Sequence, residues 1–249
     1  MFGKLFKGQK SETSLENKNP QVEVPHPQMD PNVKADEAVL NLLVQEYKAR
    51  YPDDKGVHVE TLLSLLGALA GFGCQMGIRE TLIKTGKAQE KDLFVIVETK
   101  DGQKFYYGDF LNEPIFSTKQ GRISVWSLVG GAAQSVGAKN LPDINVIAKY
   151  YAENIGDQKF FIPQLPQNHM PRILPAESLG YWSSTRNLQI LYRVAPIHWG
   201  WTYAIAAQKL IIQSKDILDP ALGAKIVMEA AVPMSKLNPE RVENAYFSK

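Results

Sequence analysis

From Thr61 to Ile78 the chain runs TLLSLLGALAGFGCQMGI without a formal charge, and it carries glycines at 67, 71, 73 and 77. Leu62–Leu66 has neither the alternation nor the β-branched residues of a strand, and leucine favours helix. Each glycine inside a helix costs about 1 kcal/mol relative to alanine. Four cost roughly 4 kcal/mol, a large share of the ~5–15 kcal/mol that holds a domain together. A helix that keeps them needs either a second backbone packed close against it or a ligand brought close to it.

The first explanation has a partner in the sequence. Ser64–Ala68 (SLLGA) is echoed by Ser127–Gly131 (SLVGG), which opens a second segment of small residues at 124–138. Small residues at four-residue spacing leave a groove in which two helices can meet backbone to backbone. Gly67 and Gly71 are therefore expected to face Gly130, Gly131 or Gln134. The second explanation is a cofactor. Gly67–Gly73 reads GxxxGxG and Gly71–Gly77 reads GxGxxxG, both variants of the dinucleotide fingerprint. Glu98, further on, stands where an acidic residue would hold ribose hydroxyls. That alternative assigns Gly67, Gly71, Gly73 and Glu98 to NAD or NADP. Two features weigh against it: no strand pattern precedes Gly67, and a hairpin rather than a helical crossover follows Glu98.

Residues 1–35 read as a disordered tail, polar from Gln9 to Asp30 and interrupted by Pro20, Pro25 and Pro27. Phe2, Leu5 and Phe6 among lysines offer a possible membrane-surface contact through Met1–Lys7. Order is expected from Asp36, an N-cap for a helix whose apolar face is Val39, Leu40, Leu43, Val44 and Tyr47. The glycine helix should run from Val57 to Lys84 and stop at Gly86. A β-hairpin is expected at about 93–107: LFVIVE, the turn TKDG, and QKFYY. After a polar loop and the 124–138 segment come a helix from Pro142 and a proline-punctuated crossover over 161–175. Helices near 176–193, 197–214 and 220–232 follow, and Asn238-Pro239 starts a last short one. The fold class is α+β, mainly α: one helical domain over 36–249 with close-packed Gly/Ala-rich helices and one hairpin.

A net charge of +2 with scattered lysines and arginines gives no basic face for nucleic acid. The single cysteine, Cys74, rules out an intramolecular disulfide framework and, with no secretory signal, points to the cytoplasm. The run at 61–78 sits at the lower length limit for a membrane span, and a buried central helix is the plainer reading. Chemistry is sparse. His26, His58, His169 and His198 have no metal-ligand partner at helical spacing, and no metal site is assigned. Gln75 and Arg79, one turn apart, can share a ligand or a carboxylate, but Arg79 and Glu80 read better as the place where the glycine helix emerges into water. Asp109 and Glu113 form a possible carboxylate pair, with Asp109 reading better as an N-cap. The APIHWGWTYA segment gathers His198, Trp199 and Trp201, which with Trp182 make an aromatic group suited to a ligand or partner. No catalytic constellation emerges, so the expected role is binding or assembly rather than catalysis.

Overall fold

The computed structural model describes residues 34–246, with side chains as far as 242. The expected tail up to residue 33, with Met1–Lys7 and His26, lies outside them. Helix α1 (Ala35–Arg50) is followed by α2 (Val59–Ile78), which continues through a turn of π-helix at Arg79–Ile83. A single turn, α3 (Glu90–Leu93), leads into β1 (Val95–Glu98) and β2 (Lys104–Tyr107). Then come α4 (Asp109–Phe116), α5 (Val125–Ser135) and α6 (Ile144–Glu153). The C-terminal part holds α7 (Pro175–Ser178), α8 (Trp182–Leu191), α9 (Trp199–Gln213), α10 (Pro220–Met234) and α11 (Pro239–Tyr246). The architecture is mainly α, with a two-stranded antiparallel hairpin as the described sheet.

Helix α2 is the axis of the fold. Every residue from Val59 to Ile78 except Glu60 is buried, which only a helix packed on all sides can achieve. By length and composition α2 and its π-turn could cross a membrane, yet the whole apolar window is buried inside the protein. The glycines explain how neighbours come so close. A Cβ on Gly67 would run into the backbone of Val227, and one on Gly71 into the backbone of Ala231. Both contacts lie on α10, one turn apart on each helix. Gly73 faces Gly200 of α9, where a Cβ would sit 3.1 Å from the Gly200 Cα. Gly77 faces the Pro196 carbonyl in the 3-10 turn Pro196–His198 that precedes α9.

The seam at Gly67 and Gly71 is therefore with α10, not with 124–138. Helix α5 packs on the far members, α9 and α10; a Cβ on Gly130 would meet the Trp126 ring, and one on Gly131 open space. Gly223, Ala224, Ala230 and Ala231 give α10 the same small-residue character that α5 advertises.

The hairpin forms as expected in register, with Val95 opposite Tyr107 and Glu98 opposite Lys104, but β1 starts two residues later because Glu90–Leu93 is a helical turn. Val95 and Ile96 are exposed, whereas Phe105 and Tyr106 of β2 are buried. Strand β2 owes its burial to the chain just after α10. The Tyr106 amide donates to the Lys236 carbonyl at 2.8 Å, and Phe105 bridges Leu237. Three smaller boundaries differ from expectation. Helix α1 starts at Ala35, so Asp36 lies in its first turn and pairs with Lys209 of α9. Gly108, with a left-handed φ of 120°, caps α4 in place of Asp109. The helix expected over 176–193 is broken by a 3-10 turn at Leu179–Tyr181.

Candidate functional site

The aromatic group expected to face a ligand lies inside the protein. Trp182, Trp199 and Trp201 are 3%, 4% and 8% exposed. Trp182 stands edge-on to Phe72 of α2 at 5.1 Å and to Trp199 at 5.8 Å, which makes it a core residue. His198 stacks on Trp201 with ring centroids 5.1 Å apart. The indole N–H groups of Trp199 and Trp201 are buried with no acceptor among the described residues. At the alternative site, Gly67, Gly71 and Gly73 lie within continuous helix with α9 and α10 filling the space before them. Glu98 is exposed at the end of β1.

Gln75 and Arg79 point to different partners. Gln75 is fully buried and donates from Nε2 to the Ser235 carbonyl at 3.0 Å. Arg79 pairs with Glu90 and lies 4.3 Å from the Tyr106 ring centroid and 5.0 Å from that of Phe94. Glu113 meets Lys119 at 3.2 Å rather than Asp109. His58 and His169 both reach Glu60, at 3.4 and 2.9 Å. Burial raises the Glu60 carboxyl, but the His169 hydrogen bond and nearby charge bring it below the ordinary carboxylate value. Among the described residues, no three of His, Cys, Asp and Glu gather to hold a metal ion.

The strongest constellation is one that local spacing does not reveal. Lys236, just past the end of α10, is 3% exposed. Its backbone is pinned from two sides, by Tyr106 on β2 and, through the preceding carbonyl, by Gln75 on α2. Its Nζ donates to Oδ1 of Asn112 on α4 at 2.8 Å and sits 5.1 Å from the Tyr107 ring centroid. Among the described residues no carboxylate pairs with it. A buried ammonium without a counter-charge is costly, and the group responds by giving up its proton more readily. Burial brings the Lys236 amine down to about 7, with only Cys74 acting in the opposite direction. Cys74, wholly buried, is itself pushed up to about 12.

Lys236 opens onto a cavity of about 310 Å³, at the small end of the roughly 300–1,000 Å³ typical of ligand sites. Phe116, Val232 and Ala148 give it apolar walls, and exposed Asn145 and Ala152 of α6 stand at its edge. The Tyr107 hydroxyl is buried at the same place with no hydrogen-bond partner among the described residues, and burial holds its phenol above the ordinary range. Tyr151 closes the back. Its hydroxyl donates to Glu229 Oε2 at 2.7 Å, and the Gln164 amide donates to the same oxygen at 2.9 Å. Glu229 is 2% exposed; burial raises its carboxyl, and these two bonds together with Lys225 only partly offset that.

None of these residues carried a motif. Only Glu229 was detectable, as a lone charge inside the apolar stretch IVMEAAVPM. No protein-family model matches this sequence, and no curated protein and no solved structure matches it.

Proposed function

We propose that the chain is a small-molecule-binding protein whose site is the cavity between β2, α4, α6 and the end of α10. One observation carries this: a nearly inaccessible lysine, unpaired with any carboxylate among the described residues, faces a cavity of ligand size. Such a group is an unfavourable choice for stability alone, and strongly perturbed groups in clefts are concentrated at functional sites. The ligand chemistry follows from the wall. Lys236 and Tyr107 present donors, while Phe116 and Val232 present apolar surface, so the ligand is a small molecule with an apolar body and one oxygen acceptor. Binding rather than catalysis remains the role. A cytoplasmic location belongs to the same proposal, supported by the lone cysteine.

The test is thermal unfolding with benzamide, benzoate and benzyl alcohol. A ligand at ten times its Kd should raise the Tm by about 3–6 °C for a chain of this size. The variant Ala148→Trp, which fills the cavity, should abolish the rise. No shift with any of the three compounds in the unsubstituted protein would overturn the proposal.

A second reading places a capture point at Trp201, on the edge of the otherwise buried aromatic group, supported by the unaccepted indole donors of Trp199 and Trp201. It predicts that Trp201→Phe, which removes the indole donor and keeps an aromatic ring, weakens partner capture while lowering the Tm by no more than about 3 °C, the equivalent of about 1 kcal/mol. Unchanged capture by Trp201→Phe would dismiss it.

A further inference from the structure

The Lys236 cavity has the parts for covalent rather than merely polar recognition. Lys236 Nζ is held by a single hydrogen bond to Asn112 and is otherwise turned to the cavity. Tyr107 brings an unengaged hydroxyl to the same wall. Phe116, Ala148 and Val232 set apolar surface beside a buried amine, the setting in which an amine acts as a nucleophile toward a carbonyl carbon. We infer that Lys236 captures small aldehydes or ketones as a Schiff base, with the Tyr107 hydroxyl as proton donor to the carbonyl oxygen. This rests on the proposed binding role of the same cavity.

The step balances without an external oxidant or reductant. The Nζ lone pair forms a bond to the carbonyl carbon, and the C=O π pair moves onto oxygen, which takes the Tyr107 proton. The nitrogen returns a proton to the phenolate, giving a neutral carbinolamine. Protonation of its hydroxyl by Tyr107 and loss of water then form C=N, and the remaining nitrogen proton goes back to Tyr107. One amine and one carbonyl compound give one imine and one water. The reaction is reversible, as capture requires.

Several groups face Lys236 and set its pH dependence. Cys74 approaches from α2, Tyr107 from β2 and Tyr151 from α6, with Glu229 behind Tyr151 on α10. Helix α4 contributes only the uncharged Asn112 and Phe116 to the cavity wall. With its amine near 7, Lys236 is about half unprotonated at neutral pH, against less than roughly a thousandth of an ordinary lysine.

The test uses the full chain at pH 7 with benzaldehyde and sodium cyanoborohydride, which reduces an imine to a stable benzylamine, followed by peptide mass mapping. Lys236 should be benzylated at least tenfold faster than the exposed Lys119 and Lys149. Tyr107→Phe should slow labelling of Lys236 tenfold or more and leave labelling of Lys119 and Lys149 unchanged. Labelling of Lys236 no faster than that of the exposed lysines overturns the inference. Equal labelling in Tyr107→Phe overturns the role of the hydroxyl. Benzamide, which forms no imine, separates the two levels: a Tm rise without Lys236 labelling removes only the covalent step. Neither a Tm rise nor labelling removes the binding role as well.

Discussion

Gly67 and Gly131 both lie inside helices, yet they should answer alanine in opposite ways. A methyl at Gly67 or Gly71 meets backbone that cannot move aside; Gly71→Ala is expected to cost about 2–3 kcal/mol or more as overpacking. Gly131 is exposed with open space at its Cβ, so Gly131→Ala should gain up to about 1 kcal/mol from helix propensity. Urea unfolding of both variants checks the pair, and equal effects would contradict the seam. Glu229 gives a second contrast. Glu229→Gln keeps an oxygen for Tyr151 and Gln164 while removing a buried charge, and should be neutral or stabilising at pH 7. Glu229→Leu strands both donors and should cost about 2–4 kcal/mol. Lys236 contributes a pH signature. Its folded value of about 7 lies below the unfolded value of about 10.4, so between them the unfolded chain binds the extra proton. The Lys236 contribution to stability therefore rises with pH from about 7 toward 10.4, with the Cys74 thiol opposing it above about 9, and Lys236→Met should remove that contribution from the unfolding curves.

The glycine helix was legible because its signal is local: leucines favour helix, and glycines in a helix demand a close neighbour. Which neighbour was not legible. The small-residue pattern of α5 lies nearer in sequence and echoes SLLGA as SLVGG, but α10 carries the same signal in Gly223, Ala224 and Ala231, with Ala231 160 residues beyond Gly71. A pattern of small side chains states that a helix can be approached and not by what. The tryptophans show the converse: Trp182, Trp199 and Trp201 were legible as a cluster, while their burial depended on Phe72 and the wall of α2. The site was the least legible, since Tyr107, Asn112 and Tyr151 come from three elements and Lys236 from the segment after α10, and they share no spacing. The proline-rich crossover over 161–175 is strapped at both ends, by Gln164 to Glu229 and by His169 and Arg172 to Glu60, Thr61 and Asp54. Arg172→Ala should raise amide exchange across 163–174 and leave α2 as protected as before. Exchange confined elsewhere would contradict that strap.

Helix α2 comes from the first third of the chain and is enclosed by α9 and α10 from the last, while β2 is completed by residues 236 and 237. Neither half can bury its apolar surface without the other. The same closure that buries α2 carries Lys236 to the end of α10, ties its backbone to α2 and β2, and leaves its amine facing a cavity instead of water. The proposed function depends on that placement. Carbon-13 NMR titration of the Lys236 side chain, assigned by loss of its signal in Lys236→Met, reads it directly. The expected midpoint is about 7, moving when benzamide is added. A midpoint near the ordinary lysine value of about 10.4, unmoved by benzamide, would contradict it.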